Sequence, residues 1–201
     1  MKGIMFKPEM QKAVVEGRKT QTRRLGGLNF INSAPDEASF KGLRLKKGEH
    51  NRLYAHFTFP VEFLDEFVYP RYQPGEVVYL KETFKAWEGE MGTTIFFPDE
   101  SHSGLDSWQN KMFMPARYAR HFVEILYARP ERLQSISEYD AHWEGVKFSK
   151  STMGKCYYDY RYGGYNIMTR ASDSFRYLWE TIHGEKSWDE NPWVWVYEFD
   201  L

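Results

Sequence analysis

Apolar and polar positions alternate along much of the chain in short stretches, and a few stretches carry the wider spacing of a helix. Residues 3–7 read as a strand ended by Pro8, which suits the first turn of a helix. Met10, Ala13 and Val14 share one face of a helix over residues 8–16, and Gly17 stands where a left-handed C-terminal cap belongs. Residues 18–25 resume as a strand. A regular strand would turn Lys19 and Thr22 to opposite faces, because side chains alternate with period two. The two share a site only if Lys19 still lies in the turn.

Further strands are expected over residues 52–60, where Leu53, Ala55, Phe57 and Phe59 alternate, over 76–84, and over 121–129, closed by Pro130. Residues 69–75 are turn material. A hairpin or excursion is expected over 89–110, a brief strand over 111–114 and a turn over 115–120. Ser137 is placed as the N-cap of a short helix stopped by Gly145, with Asp140 at the third helical position as in a shortened capping box. Phe175, Leu178, Trp179 and Ile182 mark a helix over 171–183, and Asn191-Pro192 opens a last strand over 193–199. Residues 26–50 and 147–170 read as insertions, the first a long loop and the second a loop or hairpin. Strands outnumber helices and do not alternate with them. The pattern therefore predicts one α+β domain over residues 1–201: a small, mainly antiparallel β-barrel of about six strands flanked by two or three short helices, with loop insertions.

Composition changes this picture little. With 42% apolar and 27% charged residues the chain is of ordinary globular type, and 14 Tyr, 15 Phe and 7 Trp can fill a barrel core or offer faces on which bases stack. Trp179, Trp193 and Trp195 are read as core, since large aromatics mostly fill interiors. No apolar run is long enough for a spanning helix, and the start of the chain lacks the apolar stretch of a signal peptide, so a cytoplasmic protein without a membrane partner is expected. The single Cys156 excludes an intramolecular disulfide and a multi-cysteine zinc site.

Net charge is −1, yet residues 1–25 hold Lys2, Lys7, Lys12, Arg18, Lys19, Arg23 and Arg24 against Glu9 and Glu16. A local basic patch on a neutral body suits a small or single-stranded ligand better than a long duplex. Its centre is residues 16–24, Glu-Gly-Arg-Lys-Thr-Gln-Thr-Arg-Arg, where hydroxyls interleave with cations. Basic side chains neutralise phosphate and hydroxyls fix register; an exposed edge strand would carry the same residues.

Other chemistries lack their residues. His50, His56, His102, His121, His142 and His183 form no helical i, i+4 pair, so no metal site is expected. His142-Trp143-Glu144 matches half of a zinc-deaminase signature, but the cysteine half is missing. No phosphate-binding glycine loop and no nucleophile elbow occurs, and no cofactor is implied. What remains is Lys19, Thr22 and a carboxylate, in which a lysine made neutral by burial or by neighbouring cations activates a hydroxyl.

The 16–24 segment resembles the signature of the ASCH domain family of the PUA-like superfamily. Gln73 to Glu76 leading into Tyr79 to Thr83, Phe113-Met114-Pro115 followed by Arg117, Glu131 to Gln134, Asp140-Ala141 with Glu144-Gly145, and the tail around Phe175 to Trp179 and Asn191 to Val196 are similar to the family in the same order. The tail is similar to larger ASCH proteins of phages and prophages. The resemblance implies a PUA-like barrel with a cleft beside the first helix–strand junction that holds RNA or a modified nucleoside. Small members hydrolyse N4-acetylcytidine with a Thr, a Lys and a Glu, which map to Thr22, Lys19 and Glu144, with Arg24 following. Arg23 stands where those enzymes carry an apolar residue.

The expected site thus has Lys19, Thr22 and Glu144 as catalytic residues, with Arg18, Thr20, Arg23, Arg24, Glu82, Arg117 and Arg120 around the ligand. Arg117 and Arg120 line a phosphate path or cover the barrel; Glu82 faces the cleft or pairs with a nearby Arg. Residues 157–165 clamp a base or form an ordinary Tyr/Gly loop, and Lys41 to Lys47 are read as a solvated face. Three functions follow: a hydrolase of an N4-acylated cytidine-type base, a non-catalytic RNA-binding module, or a metal-independent ribonuclease.

Overall fold

The computed structural model describes residues 1–48, 51–60, 64–89, 92–98, 107–151 and 154–201. In chain order, β1 (Gly3–Met5), α1 (Pro8–Val15) and β2 (Gln21–Arg24) precede a meander of β3 (Ser39–Lys46), β4 (Arg52–Thr58) and β5 (Asp65–Val68). β6 (Val77–Lys81) leads to the hairpin β7 (Lys85–Gly89) and β8 (Gly92–Phe96). β9 (Phe122–Arg132) is followed by α2 (Glu138–Trp143) and a second meander of β10 (Phe148–Ser151), β11 (Gly154–Asp159) and β12 (Gly164–Met168). Helix α3 (Ala171–His183) and β13 (Trp193–Asp200) complete the chain.

Five strands form the central sheet in the order β1-β6-β9-β13-β2; β1 runs parallel to β6 and the other neighbours are antiparallel. The fold is α+β, but it is not a closed six-stranded barrel. Among the described residues the strands divide into one five-stranded, two three-stranded and one two-stranded sheet. β1 has 3 residues and β2 has 4, too short to sustain a closing ladder, and they remain the two edges of the central sheet. The edges nevertheless approach: the Arg24 guanidinium on β2 donates to the Met5 carbonyl of β1 at 2.7 Å. Helix α1 connects these two edges, so the seam is where the first helix hands over to the second edge strand.

The main apolar cluster joins Val78 and Leu80 of β6, Val123, Ile125 and Ala128 of β9, and Val194 to Tyr197 of β13 with Met10 and Val14 of α1 and Phe175, Leu178 and Trp179 of α3. Trp179 and Trp195 are buried and Trp193 packs against the cluster, as their size demands. A second small cluster gathers Phe84, Phe97 and Met114.

Several local expectations need correction. Residues 26–50 include β3, which pairs with β4 although its own burial is slight, and β5 had no recognisable alternation. Residues 111–113 form a 3-10 turn capped by the Asn110 side chain rather than a strand. β9 continues through Pro130: beyond Ile125 its registered strand partner is β13 alone, and a proline is tolerated where one side of a strand is unpaired. The 147–170 segment carries a three-stranded sheet. His50, His102 and part of the 89–110 excursion lie outside the described residues. No helix among the described residues is long and apolar enough to cross a membrane.

Candidate functional site

The end of α1 decides where Lys19 points. Gly17 takes φ +69°, and the N–H groups of both Arg18 and Lys19 donate to the Ala13 carbonyl, at 2.8 and 2.9 Å. Lys19 therefore still belongs to the helix-end turn. Thr20 donates its N–H to the Trp143 carbonyl at 3.0 Å and accepts from Phe199 N–H at 2.9 Å, so regular strand pairing begins only at Gln21. The alternation that would have separated Lys19 from Thr22 does not operate across the turn, and both line one pocket.

Glu144 arrives from the C-terminus of α2. Ser137 caps that helix, accepting from Asp140 N–H at 3.0 Å, and Glu144 is its C-terminal cap residue. Gly145 follows with φ +84°, which turns the chain away directly over Lys19. The Lys19 ammonium donates to Glu144 Oε2 at 2.6 Å and to the Glu144 carbonyl at 2.8 Å. Lys19 is 4% exposed and Glu144 3%, so the pair is shielded from water.

Arg23 takes the other carboxylate oxygen, donating to Glu144 Oε1 at 3.1 Å. It is held in turn by Gln21 Oε1 at 2.7 Å and Glu131 Oε1 at 3.0 Å. Asp140, Arg129 and Glu198 extend this network along the same face of β2, β9 and β13. Burial pushes the Lys19 pKa below the ordinary lysine value; the Glu144 carboxylate opposes the shift, and Arg24 and Arg23 add to it. Asp140 is lowered: burial works against the shift, and the hydrogen bonds from Ser137 and Gln21, with the Arg23 and Arg129 charges, outweigh it.

Above these groups lies a pocket of about 130 Å³ in the seam between β1 and β2, covered by α3. Phe6, Met10, Phe175, Leu178 and Trp179 make its apolar wall; Lys19, Thr22, Arg23 and Glu144 make its polar floor, and Lys7 and Arg24 line it beside Met5 and Phe6. The Lys19 ammonium lies 5.5 Å and the Arg24 guanidinium 5.1 Å from the Phe6 ring centre. Three buried donors of residues at this pocket, Arg23 Nε, Arg24 Nε and the Trp179 indole N–H, have no hydrogen-bond partner among the described residues. Such a site suits a flat, polar-edged ring: apolar walls take its faces and fixed donors meet its acceptors. It is far smaller than the roughly 300 Å³ lower bound for drug-sized ligands.

Lys19, Thr22, Arg23, Arg24 and Glu144 are thus brought together, but both terminal nitrogens of Arg23 are already engaged by Gln21, Glu144 and Glu131. The other expected members lie elsewhere. Arg18 pairs with Glu16 on the surface, and Thr20 serves through its backbone. Glu82 is buried against Arg120 at 2.9 Å beside the Phe84 cluster, with Arg120 over the Phe97 ring, while Arg117 is exposed against Tyr118. Gln21, Glu131 and Trp179 were not anticipated as site residues. The parity of β2 places Gln21 beside Arg23, but nothing in the sequence says that α3 covers the seam. Among the described residues no group of three or more His, Cys, Asp or Glu side chains is placed to hold a metal ion. The chain matches no protein-family model, no curated protein and no solved structure.

Proposed function

We propose that the seam pocket binds the base of RNA or of a modified nucleoside, as the ASCH-like signature of residues 16–24 implies, and that its sharper activity is hydrolysis of an N4-acylated cytidine-type amide. The observation that carries the reading is the buried Lys19–Glu144 pair beside Thr22, at the floor of a pocket with apolar walls and unpartnered donors. A cytoplasmic setting accords with such a ligand.

In the hydrolytic cycle the Thr22 hydroxyl adds to the amide carbonyl carbon while its proton passes to the neutral Lys19 amine. Collapse of the tetrahedral adduct breaks the C–N bond, and the Lys19 ammonium returns the proton to the departing N4 amine. Water then releases the carboxylic acid from the Thr22 ester. Glu144 orients Lys19, and the lowered Lys19 pKa favours the free-base form this cycle needs.

A non-catalytic module is the second reading, favoured by one observation: two Lys19 donor positions are engaged by Glu144, which holds the ammonium form. Wild type, Lys19→Ala and Glu144→Gln incubated with N4-acetylcytidine and with single-stranded RNA separate the readings. Acid release abolished by both substitutions supports the hydrolase. RNA binding weakened by salt and by Lys19→Ala, without turnover, supports the module. RNA cleavage would replace both with a ribonuclease, and indifference of every activity to both substitutions would remove the site.

A further inference from the structure

The cations around the pocket fall into two classes. Lys19 and Arg23 on the floor are paired with carboxylates. Those at the mouth are held by neutral oxygens. Arg24 donates to the Met5 carbonyl, Lys111 to the carbonyl of the next residue, Phe6, and Lys7 to the carbonyl and hydroxyl of Thr181 at 3.3 and 3.1 Å. None of the three forms an ion pair among the described residues, whereas Lys2 and Lys147 are neutralised by Glu76 and Glu9. Neutral acceptors fix a cation's position without cancelling its charge. Lys7 and Arg24 line the pocket, and Lys111 reaches the backbone of the lining residue Phe6 close enough to Arg24 for their charges to interact.

We propose that Lys7, Arg24 and Lys111 form a phosphate-binding rim, so that the ligand is a phosphorylated nucleoside, a nucleotide or a unit within RNA, rather than a free nucleoside. This rests on the base-pocket reading above. The pocket's small volume accords with it: there is room for a ring on the floor, while ribose and phosphate must remain at the mouth, where the cations are. Lys111 is drawn from a 3-10 turn far from the basic N-terminal segment, so the rim is a product of the fold and not of local charge density. Partial burial first, and then the nearby Arg24 guanidinium, lower the Lys111 pKa. An anion there would hydrogen-bond both cations and offset their mutual repulsion.

The test measures binding of N4-acetylcytidine, its 5′-monophosphate and inorganic tripolyphosphate to wild type and to the double variant Lys7→Gln/Lys111→Gln, at low and high salt. The monophosphate is expected to bind roughly tenfold more tightly than the nucleoside, with the advantage lost in the double variant and in salt. The salt dependence is read on wild type, so it decides the matter even if the variant does not fold. Equal binding of nucleoside and monophosphate, or an advantage that survives the double substitution, overturns the rim and leaves the base pocket standing. Tripolyphosphate bound through Lys7 and Lys111 while neither nucleoside form binds supports the rim and removes the base pocket. No binding of any probe removes both.

Discussion

A Cβ added at Gly145 would lie 2.8 Å from the Cβ of Lys19. Position 145 also has φ +84°, so a side chain there meets backbone strain as well as a clash. The glycine that stops α2 is thereby also what lets the buried lysine reach Glu144. Gly145→Ala is expected to destabilise the fold by about 2 kcal/mol or more and to weaken ligand binding at the seam. Urea unfolding and a binding titration on the same variant check both.

Arg23 has a fully buried side chain whose two terminal nitrogens meet Glu144, Glu131 and Gln21. Removing it leaves carboxylates without their counter-charge, at a cost of about 3 kcal/mol for Arg23→Met. Because Arg23 helps to hold the Lys19 pKa down, the same substitution shifts any Lys19-dependent pH profile toward higher pH. An effect on stability with no change in that profile would make Arg23 purely structural.

The sign of the Glu144 effect is opposite. Burial places the folded-state pKa of Lys19 below its ordinary value of 10.5, against the pull of Glu144. Between the two pKa values the unfolded chain holds a proton that the folded chain has released, so stability rises with pH across that window. Glu144→Gln removes the opposing charge, lowers the Lys19 pKa further and starts the rise at lower pH. Urea unfolding of wild type and variant at a series of pH values from about 7 to 10 reads the displacement.

Arg117 lies exposed against Tyr118, outside the pocket. Arg117→Ala is expected to change stability by less than about 0.5 kcal/mol and to leave ligand binding as in wild type. A loss of binding would place a ligand contact where the structure has none.

Much of this was legible in the sequence for identifiable reasons. Met10, Ala13 and Val14 at helical spacing, Gly17 at the cap and Ser137 before α2 are local signals, and the elements they mark occur. Closure was not local. Whether β1 and β2 pair depends on how far each runs as a strand, and the turn that carries Lys19 and Thr20 leaves β2 with only 4 residues. The barrel expectation failed there, and the candidate pocket occupies the resulting gap. The sequence marks Arg23 as a ligand contact because it shows the charge but not Glu131 across the sheet or Glu144 at the end of α2. For Glu82 the sequence leaves open the cleft or a nearby Arg; that partner is Arg120, beside the Phe84 cluster and outside the pocket, since strand parity fixes a face and not a neighbourhood.

The most direct test of the central claim follows the indole N–H resonance of Trp179, identified by its disappearance in Trp179→Phe, during titration with N4-acetylcytidine and with a cytidine-rich single-stranded RNA. A ligand seated in the seam shifts that resonance to saturation in wild type, and the shift is lost in Lys19→Ala. Binding that leaves the Trp179 resonance unmoved, binding that survives Lys19→Ala, or no binding of either probe would contradict the account.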